Sequence, residues 1–422
     1  MTTSLKGTRA VLLLDPVRNG AHFKSVTRRR GLAVVSVYTM PRQHVESRWP
    51  DHADGDDAGF YADDAGQILH GVESLGVELV AVVAASESAV HLADVLADKL
   101  GLTGNDLALS PARRNKAAMR AAALDAGVRI PRFALVEDPA GIAPAAAGIG
   151  FPAIAKHTTG GGSHGARLLN SAEEAADISG LARRDHFGRE VEEWLVEQYV
   201  RGRELAVNCF SHDGEHQVID VWEYRQPDDS DYAFPYWELM QLAEDDPDRQ
   251  RAADFVGEVL TALGVRLGPS HTEVKVAADG VYLIEMGARL PGGPLTEQWL
   301  AHSDLDPFEQ TLDCYLGNRP ACLETPPRFD ALIGSSVIRN EGPAGVLTEI
   351  RGMEELLRKP GVDSVASVYA PGDVVPVTDS TKTIPLFISL AAPDRPALLD
   401  LMAWVRRTVE LVIEPATDSR DT

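Results

Sequence analysis

The 422-residue sequence predicts a mixed α/β (α+β) protein, and three observations carry that prediction. Over about the first 105 residues, short apolar runs alternate with helical periodicity, as in a doubly wound parallel sheet. A strand ending in Lys156 then opens into the glycine-rich loop His157-Thr-Thr-Gly-Gly-Gly-Ser-His-Gly165. Farther on, residues 271–289 read as a β-hairpin with Glu273 on one strand and Glu285 on the other.

The elements follow in order. Residues 10–15 and 33–38 read as buried strands, joined by a helix that ends near Arg28-Arg29-Arg30-Gly31. Residues 77–84 form a third strand, and 87–100 show helical periodicity. The turn Asp15–Gly20 lacks GxGxxG, which weighs against a dinucleotide site. Ser110-Pro111 predicts a helix start, an N-cap followed by proline, with the helix running to about Ala126. A strand over 151–155 precedes the glycine loop, and Ser171-x-x-Glu174 is a capping box. Residues 193–200, 204–211 and 216–222 read as strands, and 248–263 as an amphipathic helix leading into the hairpin. Residues 139–150 are an Ala/Gly/Pro-rich stretch. After about Pro320, strands, turns and a helix near 395–410 predict a C-terminal α+β domain. The expected domains are 1–107, 108–320 (with a lid over roughly 115–200) and 321–422.

A net charge of −23 argues against a nucleic-acid partner, which needs a basic surface. It leaves room for an anionic small molecule held by a local group of cations. The longest early apolar run, 10–14, is too short for a signal-peptide core or a membrane span, so a cytoplasmic protein with no membrane partner is expected. Three cysteines without CxxC spacing support neither a disulfide framework nor a zinc ribbon.

In the hairpin, loop length decides whether the glutamates meet. A two-residue loop at 279–280 would pair Glu273 with Met286 and send the carboxylates to opposite faces. A three-residue loop at 278–280 with a bulge pairs Ala277 with Val281 and sets Glu273 across from Glu285. That register puts Lys275, Ala277, Val281 and Leu283 on the glutamate face and leaves an apolar face of Val274, Val276, Tyr282, Ile284 and Met286. The apolar pattern favours it. Two opposed carboxylates, roughly 5 Å apart at Cβ, repel unless a cation lies between them. Hard oxygen ligands suit Mg²⁺, which takes one or two carboxylates and completes its shell with phosphate and water. The plainer alternative is an exposed hairpin with two solvated glutamates.

Glycines in the 157–165 loop let successive backbone N–H groups face one anion, with Ser163 adding a hydroxyl and Lys156 a point charge. No GK[ST] closes it, so it is not a Walker A loop, and a mobile surface turn is the alternative. Lys116 is a second candidate cation. Trp222, Tyr224, Arg225 and the aromatics up to Trp237 read either as a substrate-facing loop, with Arg225 on a carboxylate, or as an aromatic cluster over the sheet edge. His212 and His216 flank a turn without a third metal ligand and read as exposed.

Taken in order, Lys116, Lys156 with the Gly160–Gly165 loop, Glu197-Gln198-Tyr199-Val200 with Glu204, and Glu273, Glu285 and Arg289 resemble the ATP-grasp superfamily. The resemblance covers roughly residues 5–320, and the C-terminal region looks like the extra domain of one branch, the L-amino acid ligases, carboxylate–amine ligases that form dipeptides and related amides. It implies an ATP-grasp fold with a mobile glycine-loop lid, ATP and Mg²⁺ as cofactors, and small carboxylate and amino acid substrates. By the same resemblance Lys116, Lys156 and the loop residues Gly162, Ser163, His164 and Gly165 contact ATP phosphates. Glu197, Gln198, Tyr199 and Val200 form the adenine hinge, Glu204 takes the ribose hydroxyls, and Leu283 lies against the adenine. Glu273 and Glu285 hold Mg²⁺. Arg289, with Lys156 the catalytic pair, is expected to meet the substrate carboxylate; from the residues themselves, the Gly292-Gly293 turn and, on the substrate-facing reading, Arg225 and Trp222 are the candidate substrate-pocket residues. A homodimer is expected. The sequence departs from the superfamily pattern where Glu-x-Asn is common: Glu285-Met286-Gly287 supplies no third side-chain ligand. His157 stands where proline is common. The competing readings are a biotin-carboxylase-like enzyme and an ATP-binding scaffold without catalysis.

Overall fold

The computed structural model describes residues 5–177, 181–226 and 237–415. The first sheet contains β1 (Arg9–Leu14), β2 (Ala33–Tyr38), β3 (Ala58–Tyr61) and β4 (Glu78–Ala84) in the order β3-β2-β1-β4. Its neighbours are all parallel. β1 and β2 are buried almost throughout, so they read as continuous apolar runs. β3 escapes the sequence analysis because four half-exposed residues, Ala-Gly-Phe-Tyr, carry no clear period. The order reverses between β1 and β4, and the loops leaving both strands open a crevice there, as open α/β sheets do at a switch point.

A second, antiparallel sheet contains β5 (Phe133–Val136), β6 (Ala153–His157), β7 (Arg167–Leu169) and β8 (Trp194–Gln198) in the order β5-β8-β6-β7. The helix Ile142–Ile149 packs on it, so the Ala/Gly/Pro-rich stretch is a helix with buried Ile142, Ala146 and Ile149. The expected helix start at Ser110 is corrected. Residues Leu107–Arg113 form a 3-10 helix, and the α-helix begins at Lys116 with Asn115 as its N-cap, accepting from Ala117 N and Ala118 N. Ser110 is drawn away from capping, since its hydroxyl donates to the buried Asp94 at 2.7 Å.

The remaining strands are β9 (Arg203–His212), β10 (Glu215–Arg225), β11 (Glu238–Gln241), β12 (Gly268–Ala277), β13 (Gly280–Gly287), β14 (Leu332–Ile338), β15 (Gly345–Arg351), β16 (Val362–Ser367), β17 (Val374–Val375), β18 (Leu386–Ala392) and β19 (Glu410–Pro415). Eight of them form one sheet, ordered β13-β12-β9-β10-β11-β14-β18-β16. Three strands from beyond Pro320 therefore extend the central sheet, while β17, β15 and β19 make a small sheet of their own. The helix Pro247–Ala262, capped by Asp246, lays Ala252, Val256, Val259 and Leu260 on this sheet at helical spacing. Each such burial contributes roughly 1.5–3 kcal/mol for the larger side chains. Leu12, Val35 and Val82 of the first sheet join Val207 and Leu283 of the large one, and Val256 of the helix on it, in a single core that also takes in Met119 and Ala123. The three cysteines are free and buried. Among the described residues, no helix is long and apolar enough to cross a membrane.

Candidate active site

The loops after β1 and β4, the glycine loop, the hinge after β8 and one face of the hairpin converge on a cavity of about 410 Å³. A second hollow, of about 550 Å³, lies between residues 337–344 and 406–415; of the sequence-predicted candidates only Trp237 lines it.

The hairpin brings its two glutamates face to face, with Glu273 paired to Glu285, but by another route than the one expected. The turn is neither of the two weighed but a two-residue one at 278–279: Ala277 pairs with Gly280, Val276 with Val281 and Val274 with Leu283. The extra residue is Ile284, a bulge that shifts the register next to Glu285. The carbonyl of Ile284 is taken by Arg120 Nη2 at 2.6 Å. Leu283 therefore faces the core, fully buried beside Val274, and Ile284 lines the cavity in its place. The expected contact of Leu283 with adenine is corrected accordingly.

Each carboxylate has a different partner. Lys116 Nζ lies 2.8 Å from Glu285 Oε1. Glu273 Oε1 accepts from the Tyr224 hydroxyl at 3.0 Å, with His271 Nε2 3.7 Å away. Burial pushes Glu273 up, yet His271 and Tyr224 hold it below the usual carboxylate range. His271 is steadied from behind by Asn208 at 2.7 Å. Among the described residues, no group of three or more His, Cys, Asp or Glu is arranged to hold a metal ion. Any ion here would rest on the two glutamates and on ligands brought by substrate.

Lys156 is buried, with Nζ 2.6 Å from Glu197 Oε2. Glu197 lies against Arg120 as well. Burial raises its carboxyl, but the two cations outweigh that and hold it at about 2. At Lys156, burial outweighs Glu197 and pushes the ammonium down. The side chain of Glu197 is thus an internal counter-ion, an arrangement the sequence does not signal. Gln198, Tyr199 and Val200 line the cavity beside it. The Gln198 N–H is taken by Arg132 O at 2.8 Å and that of Tyr199 by Pro152 O at 3.1 Å. Glu204 lines the same end, 2.7 Å from Lys275 Nζ.

Gly162, Ser163 and His164 line the cavity, and Ser163 and Gly162 take positive φ of 55° and 64°. Gly165, at φ 77°, does not line the cavity; a Cβ there would meet the His157 ring at 2.3 Å, so this glycine serves packing. His164 Nε2 lies 3.2 Å from Arg184 O. Thr381, from the far C-terminal segment, reaches the loop, its N–H donating to Gly162 O at 3.2 Å.

Arg289 lines the cavity with Nε 2.8 Å from Glu87 Oε2. A Cβ on Gly287 would meet Glu87 Oε2 at 2.7 Å and Arg289 Cζ at 3.2 Å. The missing side chain after Glu285-Met286 is therefore the space this ion pair fills. Glu87, half of that pair, was not among the expected site residues. Its one sequence signal is its place just past a strand of the parallel sheet. Gly292 and Gly293 line the same side, and Asn19 Nδ2 donates to Gly293 O at 2.8 Å.

The substrate-facing reading of 222–237 fails at both residues chosen for it. Trp222 is fully buried and donates from Nε1 to Asp220 Oδ2 at 2.6 Å. Arg225 is turned to the buried Glu238, 2.6 Å away, and does not line the cavity. Strand alternation explains Arg225, since its neighbour Tyr224 points the other way and reaches the site. Trp222 shares the face of Tyr224 but is packed deeper, in the core that Tyr224 covers. Tyr232, Phe234 and Tyr236 lie outside the described residues.

Comparison with known proteins agrees with this geometry. Residues 149–297 match the ATP-grasp domain. The chain is 29% identical over 338 residues to dapdiamide A synthase of Enterobacter agglomerans, covering 78% of this chain and 79% of that protein. It is 21% identical over 376 residues to the L-arginine-specific L-amino acid ligase of Bacillus subtilis, covering 86% and 87%. The structure of an L-amino acid ligase from Bacillus licheniformis superposes with a TM-score of 0.74 at 18% identity, over 97% of this chain and 99% of that one. Residues 149–297 thus match an ATP-grasp domain, and over most of its length the chain is similar to a dapdiamide synthase and to L-amino acid ligases.

Proposed function

We propose that the protein is an ADP-forming ligase that joins a carboxylate, activated as an acyl phosphate, to the amine of an amino acid. The product is a dipeptide or related amide. The observation that carries this reading is the opposition of Glu273 and Glu285 in one cavity with Lys116, Lys156 and Arg289. Similarity to two amino acid ligases and a dapdiamide synthase supports the substrate class.

Lys116 and Lys156 are each paired with a carboxylate, and in the reaction each turns to phosphate oxygens instead. The glycine-loop N–H groups and the Ser163 hydroxyl complete the phosphate contacts. The donor set of Glu273 and Glu285 fits Mg²⁺, which needs few protein ligands when phosphate and water supply the rest. When bound, that ion offsets charge on the transferring phosphate. The adenine lies along the hinge at Val200 and against Ile284, and Glu204 takes the ribose. Arg289 offers a planar fork to the substrate carboxylate and then to the oxyanion formed as the amine attacks. Glu87 keeps that fork aimed along the Gly292-Gly293 turn. Positioning and charge neutralisation suffice for such chemistry.

The test is ADP and phosphate release by the full chain with Mg²⁺-ATP over a panel of acids and amino acids. Release stimulated by amino acids is expected. Release stimulated by bicarbonate and biotin instead would identify a carboxylase, and none with any acid would leave an ATP-binding scaffold.

A further inference from the structure

Three cations border the glycine-loop end of the cavity without a carboxylate partner. Arg18 lines the cavity and sits at φ 52°, a left-handed conformation that costs a non-glycine residue energy. Arg48 ends the helix Arg42–Arg48, its guanidinium 5.8 Å from the ring of the cavity-lining Trp49. Lys382 follows Thr381, the residue that holds Gly162. None of the three makes an ion pair among the described residues, in a chain of net charge −23. The nearby acids are engaged elsewhere. Asp185 accepts from the N–H groups of Phe187 and Arg189 at 2.8 and 3.0 Å. Asp379 accepts from the hydroxyls of Ser380 and Thr383. His186 stands in the cavity wall among these cations, and its buried Nδ1 has no hydrogen-bond partner among the described residues. Burial, then the charges of Lys382 and Arg48, hold its pKa at about 2, so its imidazole is neutral at ordinary pH. Burial and Arg48 likewise push Lys382 down to about 8. An anion would relieve all of these at once.

The place of this cluster says which substrate carries the anion. Arg18 adjoins Asn19, which binds Gly293 O and the Thr296 hydroxyl, each at 2.8 Å, on the turn that follows Arg289. The cluster thus flanks the acyl-donor side. The nucleotide phosphates already have Lys116, Lys156 and the glycine loop. We propose that Arg18, Arg48, Lys382 and His186 form an anion subsite that takes a second carboxylate of the acyl donor, making the preferred acid a dianion. This rests on the ligase reading above.

The experiment compares succinate with succinamate, the monoanion in which one of the two carboxylates is replaced by a neutral, isosteric amide. Phosphate release with Mg²⁺-ATP and an amino acid mixture is expected to show a kcat/KM about tenfold or more higher for succinate, in line with one or two charge-assisted hydrogen bonds. Arg48→Ala and Lys382→Ala are expected to erase that preference by lowering kcat/KM for succinate to the level of succinamate in the same variant. Equal kcat/KM for the two acids, or a preference untouched in both variants, overturns the subsite. Calorimetry with Mg²⁺ and a non-hydrolysable ATP analogue reads succinate against succinamate binding without turnover. Absence of phosphate release with every acid therefore overturns the ligase reading alone, and the binding ratio still decides the subsite: a succinate preference lost in Arg48→Ala supports it, and equal binding refutes it.

Discussion

Two regions of this molecule bury carboxylates in opposite ways. On β10, Asp220 is buried with no ion pair among the described residues; Asn208, Trp222 and Trp299 donate to it at 2.7, 2.6 and 2.7 Å. Burial raises its pKa, and those hydrogen bonds only partly counter it. In the cavity, Glu197 and Glu285 instead hold Lys156 and Lys116. Neutral donors fixed in a core have nowhere else to go, so Asp220 organises packing. A lysine paired across a cavity can exchange one anion for another, and that is what a phosphate-binding site requires. The same residue type is structural or functional according to whether its partner can leave.

The sharpest way to break this contrast is at Glu197, which combines both situations. Glu197→Gln leaves Arg120 and Lys156 buried without their counter-charge and is expected to cost about 3–5 kcal/mol, measured by urea unfolding. Its pH dependence has a definite sign. The folded pKa of about 2 lies below the ordinary 4.5, so the stabilisation is complete above about pH 4.5 and is lost as pH falls toward 2. The variant should lose that part of the acid-unfolding profile. An unchanged profile would show that Arg120 is satisfied by Ile284 O alone.

Arg289 lies at the exchangeable extreme. Arg289→Ala should reduce turnover on the order of 100- to 1000-fold, with nucleotide affinity preserved. Lysine should rescue poorly, because a point charge cannot reproduce the fork. Normal ligation in the alanine variant would remove Arg289 from the chemistry. At the fixed extreme, Asp220→Asn turns an amide donor toward groups that already donate, and should cost about 1–3 kcal/mol. Nucleotide affinity should hold in that variant; a loss would mean that the path Asn208–His271–Glu273 transmits the change.

What the sequence made legible divides along similar lines. Strands β1 and β2 and the glycine loop follow from local period and spacing, which the chain carries on its face. The Glu273–Glu285 opposition was expected from a loop the hairpin does not have; its actual cause, the bulge at Ile284, has no local signal, because the carbonyl is satisfied by Arg120, more than a hundred residues away. Leu283 was consequently assigned to the wrong face. Trp222 and Arg225 were misplaced for the converse reason: aromatic and charged residues at a strand end suit a core hub as well as a pocket, and only Asp220, Trp299 and Glu238 decide. The extension of the central sheet by β14, β18 and β16 is a long-range pairing with no local signature.

Gly287 gives the finest test, because there the sequence shows only an absence. A methyl group would press on Glu87 Oε2 and Arg289 Cζ, both at the mobile ends of side chains, so Gly287→Ala should fold with little change in melting temperature. The displaced guanidinium would then meet the substrate carboxylate off its line. The expected loss in kcat/KM is about tenfold, short of the roughly 100-fold that a 1 Å misplacement can cost. Glu87→Gln should act in the same direction and, combined with Gly287→Ala, add little, since both disturb one contact. Full additivity would mean that Gly287 acts on Glu285 rather than through Arg289, and the space beside the ion pair would lose its claim to be the reason for the glycine.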